Sequence, residues 1–255
     1  MSKVPHVLTL HDLIHLNSRG TEGMRYRAYY EFVVRPAIKR AGVVLTVSET
    51  SRSALIEWLG DESIEVVNAG NGVNEHFKPG GPNQLSDAEP YLLYVGAVRP
   101  HKNLGVVIDA LTKVPGLTLR AVGPDVNRVR DLASRAGLSD RVSAYSGLDD
   151  SELAVLYRGA KATVMPSVIE GFGLPAAESI SCGTPVIYFT GCRSVAEIVG
   201  GSGISVDEGM DPDAWAVALR ATRDGSVPTV RPLARSDYEW EGVADKVGDV
   251  LSRFG

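Results

Sequence analysis

Residues 162–187 constrain the fold of this chain more than any other segment. They begin with an apolar run, Ala162–Met165, that is typical of a buried strand, and continue through a Gly-Phe-Gly turn into a short helical stretch that ends at Gly183. Pro175 suits the first turn of that helix, because its missing N–H removes no hydrogen bond there. The order of strand, glycine turn and helix predicts a βα unit, and the turn and helix start form a natural anion site.

Two carboxylates, Glu170 and Glu178, lie on either side of this turn, eight positions apart. A carboxylate repels a phosphate-sized anion, so each glutamate is expected to face a group with hydroxyls, such as a sugar. The segment therefore suggests a site for a nucleotide sugar.

Strands and helices alternate along the chain. Short apolar runs predict strands at 7–10, 43–47, 64–67, 91–95, 117–122, 142–145, 162–165 and 186–189. Helical spacing and capping residues predict helices at 22–41, 49–59, 104–111, 126–136, 152–158, 194–199, 211–223 and 236–253. This alternation predicts an α/β fold with parallel sheets and crossover helices. Ligands of such sheets bind beyond the carboxyl ends of the strands, and His11, the loop 96–103 and the Glu170 turn all follow predicted strands.

Composition bounds the classes of protein and partner. The 255 residues suffice for one large or two small domains. A net charge of -5 argues against a nucleic-acid partner. The sequence has only two cysteines, no secretory segment and no apolar run of the roughly 20 residues needed to span a membrane. These features predict a cytoplasmic protein, with the inner face of the membrane as a further location. Cys182 and Cys192 are expected to be packing residues rather than nucleophiles.

The segment 75–90 is rich in Pro, Gly, Asn and Asp and poor in apolar residues, which is typical of a domain boundary. We therefore expect a first domain at 1–77, a linker at 78–90 and a second domain at 91–235. Residues 236–255 are expected to form a C-terminal helix that could cross back to the first domain.

The predicted helix 22–41 lies in a basic segment. From Arg19 to Arg40 there are six Lys or Arg against two Glu. The simpler interpretation is a solvated helix face, and the alternative is a surface for an anionic acceptor or a membrane.

Arg99 and Lys102 lie in the loop after the predicted strand 91–95. Cations in such a loop can neutralise a diphosphate, and the helix that starts near Asn103 adds N–H donors. A helix terminus alone contributes roughly 0.3–1 kcal/mol, so the cations should carry most of the phosphate binding. The alternative is that both are ordinary surface charges.

Several other chemistries lack their motifs. The chain has no G-x-G-x-x-G, no Walker motif and no G-x-S-x-G. The segment His11-Asp12-Leu13-Ile14-His15 differs from the H-E-x-x-H zinc pattern, because it has Asp for Glu, follows a strand and lacks an obvious third ligand. No metal site is expected.

The sequence PSVIEGFGLPAAESISCGTPVI resembles the signature of the retaining, nucleotide-sugar-dependent glycosyltransferases of the GT-B fold. Further stretches resemble that family in the same order: TLHDLIHL, VVLTVSETSRSALIEWLG, NGVNEHFKP, YVGAVRPHKNLGVVIDAL, RVSAYSGLDDSELAVLYRGA and YEWEGVADKVGDVL. The resemblance covers most of the chain, and the Glu-x7-Glu segment is its most specific part. It implies a GT-B-like fold of two Rossmann-like parallel-sheet domains.

The resemblance also implies roles for individual residues. Glu178 should bind the ribose hydroxyls of the donor nucleotide, and Glu170 should lie by the transferred sugar with His11 as the second catalytic candidate. The other implied donor-binding residues are Gly96, Arg99 and Lys102 for the diphosphate, Gly147 and Leu148 for the base, and Gly171, Phe172, Gly173 and Leu174 through their backbone N–H groups.

The implied reaction moves a hexosyl group from a UDP- or GDP-sugar to an unknown acceptor, which could be a glycan, a lipid or a small molecule. The resemblance implies no metal and no cofactor besides the nucleotide-sugar co-substrate. Catalysis would stabilise the leaving nucleoside diphosphate electrostatically, and the anomeric configuration would be retained.

Two departures from the family pattern stand out. Many members carry Arg directly after the glycine of the phosphate loop, where this chain has Ala97, and Arg99 could compensate. The first domain is shortened relative to the family, and its three predicted strands would make a marginal core. We therefore expect a homo-oligomer or a partner chain that completes the first domain.

Two alternative functions remain open from the sequence. One is a non-catalytic or partner-dependent subunit that binds a nucleotide sugar. The other is a sugar-nucleotide epimerase, which the Glu-x7-Glu segment together with Lys102 makes less favoured.

Overall fold

A computed structural model describes residues 6–17, 20–82, 90–233 and 238–254. The chain divides into two units. The first unit comprises Met1–Gly72, Glu170–Phe172 and Ala234–Gly255, and the second unit comprises Val73–Ile169 and Gly173–Leu233. Residues 83–89 of the predicted linker, and Arg19 of the basic segment, lie outside the described residues. The domain bounds expected from the sequence stay a prediction.

The secondary-structure elements are numbered in chain order. The strands are β1 Leu8–Thr9, β2 Val43–Thr46, β3 Glu65–Asn68, β4 Tyr91–Val95, β5 Thr118–Val122, β6 Val142–Tyr145, β7 Ala162–Met165, β8 Val186–Phe189 and β9 Gly203–Val206. The helices are α1 Gly20–Tyr29, α2 Arg35–Ala41, α3 Glu49–Leu59, α4 Leu104–Thr112, α5 Val126–Arg135, α6 Asp150–Gly159, α7 Leu174–Ser181, α8 Arg193–Val199, α9 Pro212–Arg223 and α10 Trp240–Leu251.

The first unit contains a parallel sheet in the order β1-β2-β3. One face of this sheet packs on α2, the turn before it and α3 through a buried cluster: Tyr30, Val34, Ile38, Val44, Leu55, Leu59, Ile64 and Val66. On the other face Val43, Leu45 and Ala69 pack against Val250 of α10. The C-terminal helix therefore covers a strand face that would otherwise expose apolar side chains.

A π-helical turn, Tyr30–Val34, joins α1 to α2. The predicted helix at 22–41 is confirmed in extent. Tyr30, Val34 and Ile38 are buried, whereas the side chains of Tyr29 and Val33 are about half exposed. A π turn inserts an extra residue per turn, so the positions after it rotate out of the phase of a regular α-helix.

The second unit contains a six-stranded parallel sheet in the order β6-β5-β4-β7-β8-β9. Relative to the first strand of this unit, the order is 3-2-1-4-5-6, the arrangement of a doubly wound dinucleotide-binding fold. The sheet is buried on both faces, one against a cluster that includes Ile108 and Trp215 and the other against a cluster that includes Phe77 and Tyr157. The predicted parallel α/β fold is confirmed.

Strand β9 was missed by the sequence analysis. Its sequence, Gly-Ile-Ser-Val, is short, begins with glycine and has only two large apolar residues. It pairs with β8 along all four of its residues, so the neighbouring strand defines it more than its own composition does.

Local signals define several helix ends. Ser48 caps α3 by accepting a hydrogen bond from the Ser51 N–H, and Gly60 ends that helix in the left-handed region at a φ of 57°. Asp149 begins α6 with a capping box that it shares with Glu152. Among the described residues, no helix has the length and apolar character needed to cross a membrane.

Candidate functional site

The strand order of the second unit reverses between β4 and β7. In doubly wound sheets, ligands bind outside the carboxyl ends of the strands at this switch point. The loop after β4 carries Arg99 and Lys102, and the segment after β7 leads to Glu170. The N–H of Val168 donates to the carbonyl of His101 over 2.8 Å, so the two segments are joined directly.

The phosphate-loop candidate ends in a single 3₁₀ turn, Pro100–Lys102. Arg99 is exposed and Lys102 is half-buried. Asn103, which follows the turn, has a φ of 49°, and it is the only described non-glycine residue with a positive φ. Asn103 is also the N-cap of α4.

Two residues that the sequence analysis missed hold the phosphate-loop candidate. The carboxylate of Asp125 accepts a hydrogen bond from the Val98 N–H at 2.8 Å, and the Arg128 guanidinium donates to the Val98 carbonyl at 3.0 Å. Both belong to the next βα connection, so no local motif could have indicated this support.

Gly96 lies where the ends of β4 and β5 approach closely. A Cβ at Gly123 would stand 2.2 Å from the Gly96 carbonyl oxygen, which explains why a glycine occupies position 123. The carbonyl of Ala97, the position where many family members have Arg, accepts a hydrogen bond from the Tyr94 hydroxyl at 2.9 Å.

Helix α7 carries the second glutamate of the sequence motif. It begins after Gly173, whose φ of 107° favours glycine, and a Cβ there would also stand 2.9 Å from a methyl group of Val195. Pro175 lies in the first turn, as predicted. Leu174 is partly exposed, while Glu178 faces the interior with only 8% of its surface accessible.

Glu178 is paired with Tyr157 of α6. The Tyr157 hydroxyl donates a hydrogen bond of 2.7 Å to Oε2 of Glu178, and Tyr157 is fully buried. Burial raises the pKa of Glu178 to about 7, the Tyr157 hydrogen bond lowers it, and the charge of Asp150 adds a smaller upward contribution. Glu178 is therefore a carboxyl group that changes protonation near neutral pH.

The Glu170–Phe172 turn belongs to the first unit. The Gly171 carbonyl accepts hydrogen bonds from the hydroxyls of Ser48 and Ser51, at 2.6 Å and 2.9 Å. A Cβ at Gly171 would stand 2.7 Å from the His11 carbonyl oxygen. The turn thus packs directly against the backbone that follows β1.

His11 is exposed and lies two residues after β1, and Asp12 accepts a hydrogen bond from the Ile14 N–H at 2.8 Å. His15 stacks on Tyr26 with ring centroids 4.7 Å apart. In the part of the chain that the structure describes, no group of three or more His, Cys, Asp or Glu side chains is arranged to hold a metal ion.

The remaining predicted residues lie at several places. Glu170 is half-buried, and Phe172 is buried against Tyr238, with ring centroids 6.1 Å apart. Gly147, with a φ of 74°, and Leu148 lie in the loop after β6. Leu148 packs against the buried cluster that includes Tyr157, the partner of Glu178.

Both cysteines are buried, as expected of packing residues. Burial raises the pKa of the Cys182 thiol to about 12. A thiol with such a pKa carries almost no thiolate at neutral pH, so Cys182 is a poor nucleophile.

The two parallel sheets, one of them with Rossmann strand order, define an α/β protein of the GT-B type. Residues 81–224 match the family model described as glycosyl transferases group 1, which is more than half of the chain. The chain belongs to this family.

Curated relatives include enzymes of different named activities. The chain is 32% identical to a D-inositol 3-phosphate glycosyltransferase of Thermobispora bispora, over 98% of this chain and 65% of the relative. It is 27% identical to O-antigen chain mannosyltransferase B of Escherichia coli, over 84% of this chain and 61% of the relative. The chain therefore spans less than two thirds of the length of either relative.

Solved structures share the fold. The chain matches HepE of Anabaena in complex with UDP-glucose with a TM-score of 0.79 and 20% identity, over 98% of this chain and 72% of that one. It matches sucrose-phosphate synthase of Thermosynechococcus elongatus with a TM-score of 0.78 and 23% identity, over 97% of this chain and 67% of that one. The GT-B-like fold expected from the sequence is confirmed.

Proposed function

We propose that this protein is a retaining glycosyltransferase of the hexosyltransferase type. Its donor is a UDP- or GDP-sugar, and its acceptor is a glycan, a lipid or a small molecule. One observation carries the proposal. At the switch point of a Rossmann-ordered sheet, the loop with Arg99 and Lys102 is bonded to the segment that leads into the Glu-x7-Glu motif.

Each part of the donor has a candidate partner. Arg99 and Lys102 bind the diphosphate with the backbone of Gly96, and Glu178 binds the ribose hydroxyls. Glu170 and the following turn bind the transferred sugar, and His11 contacts the sugar or its phosphate. Gly147 and Leu148 contact the base. The complex of HepE with UDP-glucose, a structural neighbour, supports a nucleotide-sugar donor for this fold.

The proposed chemistry needs a leaving group to be stabilised rather than a covalent enzyme intermediate. As the glycosidic bond to the diphosphate breaks, negative charge develops on the phosphate oxygens and positive charge on the sugar ring. Cations and N–H donors fixed beside the phosphates stabilise that charge without reorganising. The acceptor then attacks from the face that the leaving group departs from, which retains the anomeric configuration. The reaction is proposed to require no metal and no other cofactor.

A thermal-shift screen tests donor binding. UDP, GDP, ADP and their sugars are added singly, because a ligand that binds only the folded state raises its stability. At 100 times Kd the gain is about 2.7 kcal/mol, which corresponds to a shift of roughly 5–10 °C for a chain of this size. Glu178→Ala serves as the site variant, and unchanged nucleotide affinity in it would refute the ribose assignment.

The outcome with a bound donor decides between the candidate functions. Transfer, or slow hydrolysis of the nucleotide sugar in EDTA, supports a metal-independent glycosyltransferase. Binding without turnover supports the partner-dependent subunit, and conversion of the nucleotide sugar into an epimer supports the epimerase. No shift with any nucleotide contradicts all three.

Exposed apolar side chains on α1 and the π turn support a role for this surface in binding a partner. Met24, Tyr29, Phe32 and Val33 expose between 51% and 78% of their surface there, beside Arg25 and Arg27. We propose a homo-oligomer or partner chain, with peripheral membrane contact as a further use of this face. Light scattering after gel filtration tests the first, and sedimentation with neutral and anionic vesicles tests the second. Phe32→Asp should weaken whichever contact exists.

A further inference from the structure

Two serine hydroxyls at the start of α3 converge on one backbone carbonyl. Ser48 Oγ lies 2.6 Å and Ser51 Oγ 2.9 Å from the carbonyl oxygen of Gly171. Ser51 Oγ also lies 2.8 Å from the carbonyl oxygen of His11. Both serines are 4% exposed, so water does not compete for these hydrogen bonds. We call this pair the hydroxyl clamp.

Helix capping does not account for the clamp. Ser48 caps α3 with a lone pair, which accepts from the Ser51 N–H at 3.0 Å. Aspartate or asparagine would serve that role equally well. The hydrogen of the Ser48 hydroxyl remains available and is donated to Gly171, a residue 123 positions away. Ser51 contributes only its backbone N–H to the cap, so its one hydroxyl hydrogen is shared between the His11 and Gly171 carbonyls.

The backbone that the clamp holds adjoins the two candidate catalytic residues. Gly171 directly follows Glu170, and His11 is bound through its own carbonyl. The fit between these backbones is tight, because a Cβ at Gly171 would meet the His11 carbonyl at 2.7 Å and the Asp12 side chain at 2.9 Å. A shift of either backbone therefore moves the other.

We propose that Ser48 and Ser51 are positioning residues for sugar transfer. Ser48 donates to the Gly171 carbonyl, and Ser51 shares its single hydroxyl hydrogen between the His11 and Gly171 carbonyls. Together they fix the backbone that carries Glu170 relative to the backbone that carries His11. The proposal rests on the proposed function, since it assigns a purpose to the clamp in that reaction. Displacement of a reacting group by about 1 Å can slow catalysis by about 100-fold, so small shifts at this point matter.

Ser51→Ala is the principal test. It removes the single hydroxyl hydrogen that Ser51 shares between the His11 and Gly171 carbonyls, and it keeps the backbone N–H that the α3 cap uses. The matched control is Ser53→Ala, which lies on the same helix but is exposed. We expect Ser51→Ala to lower kcat for nucleotide-sugar hydrolysis roughly 10- to 100-fold, with nucleoside diphosphate affinity within about 3-fold of the parent. Ser53→Ala should change neither.

Ser48→Ala removes the second donor but also the cap of α3. The control for the loss of a helix cap is Asp211→Ala, which removes the cap of α9 in the second unit. If the two variants lose similar thermal stability but only Ser48→Ala loses kcat, the loss comes from the clamp rather than from the helix end. Equal losses of kcat in both would contradict the proposal.

Hydrogen exchange decides the question even if no donor is turned over. The peptide that contains residues 170–172 should exchange about 10-fold faster in Ser51→Ala than in Ser53→Ala, because the turn loses a donor that holds it. If Ser51→Ala shows the same exchange rate for this peptide and the same kcat as the unmodified protein, the proposed positioning role is wrong. A parent protein that binds no nucleotide but shows the exchange difference would refute the proposed function and leave the clamp in place.

Discussion

Tyr157 and Glu178 form a buried pair, in which the tyrosine hydroxyl donates to the carboxylate over 2.7 Å. The pair joins α6 to α7. Burial disfavours the charged form of Glu178 and raises its pKa to about 7, although the tyrosine partly opposes that rise. A group proposed to bind ribose is therefore held near its titration midpoint at physiological pH.

The first prediction is that nucleotide affinity depends on pH through Glu178. The carboxylate accepts hydrogen bonds from ribose hydroxyls better than the neutral acid does, so affinity should fall as the pH drops below about 7. A charge-assisted hydrogen bond contributes about 1.5–3 kcal/mol. With a pKa of about 7, this predicts a loss of roughly 5- to 10-fold between pH 8 and pH 6. Calorimetric titration with UDP or GDP at a series of pH values between 6 and 8 measures this change in affinity.

The control for that titration is Glu178→Gln, which cannot ionise. The bound phosphate titrates in the same range, so its contribution remains in the variant and can be subtracted. Identical pH profiles for the parent and Glu178→Gln would show that Glu178 does not govern the affinity.

The second prediction concerns stability in the absence of ligand. The folded-state pKa of Glu178, about 7, lies above the ordinary pKa of 4.5 for a glutamate side chain. The folded state therefore holds the proton more tightly than the unfolded state, and the resulting stabilisation is complete below about pH 4.5 and lost as the pH rises through 7. Relative to Glu178→Gln, the parent should lose about 3 kcal/mol of unfolding free energy between pH 4.5 and pH 8. Urea unfolding at a series of pH values measures the difference.

The third prediction is that Tyr157→Phe moves the midpoint of nucleotide binding to higher pH. The variant removes the hydrogen bond that lowers the pKa of Glu178, and leaves the burial that raises it. It should also destabilise the fold by about 1–3 kcal/mol, because a buried acceptor loses its donor. Tyr145→Phe, at a partly exposed tyrosine of the same unit, is the matched control. A parental midpoint in Tyr157→Phe would mean that the tyrosine does not tune the carboxyl group.

The fourth prediction separates diphosphate binding from nucleoside binding. Lys102→Ala should weaken binding of a nucleoside diphosphate about 10-fold or more and leave the affinity for the corresponding nucleoside nearly unchanged, because the lysine is proposed to contact phosphate only. Lys161→Ala, at an exposed lysine before β7, controls for the loss of one positive charge. Equal weakening of both ligands would place Lys102 outside the phosphate site.

The fifth prediction is that Gly171→Ala lowers kcat more than it lowers nucleotide affinity. A methyl group there would stand 2.7 Å from the His11 carbonyl oxygen, so one of the two backbones must move. Gly105→Ala is the control, since nothing lies within 4 Å of its added methyl group, and its place in α4 should make it neutral or stabilising by about 0.5–1 kcal/mol. If Gly171→Ala has the same kcat as the unmodified protein, the close approach of the Gly171 and His11 backbones is not required for turnover.

The sequence identified the parallel α/β fold and eight of the nine described strands, because alternation, apolar runs and capping residues act within a few positions. It missed β9, whose four residues take their conformation from pairing with β8. It also predicted one continuous helix over 22–41, because the π turn Tyr30–Val34 that separates α1 from α2 has no clear sequence signal.

For the candidate site, too, some features followed from the sequence and others only from the tertiary structure. The sequence by itself determined which residues could do the chemistry, since Glu170, Glu178, Arg99 and Lys102 follow predicted strands in a recognisable pattern. Only the tertiary structure decided their surroundings: Tyr157 against Glu178 from 21 positions away, and Ser48 and Ser51 against Gly171 from more than 100 positions away. The physical reason is that burial and hydrogen bonding across packed elements depend on which strands become neighbours. These surroundings set the pKa and the geometry of the site, and no local pattern encodes them.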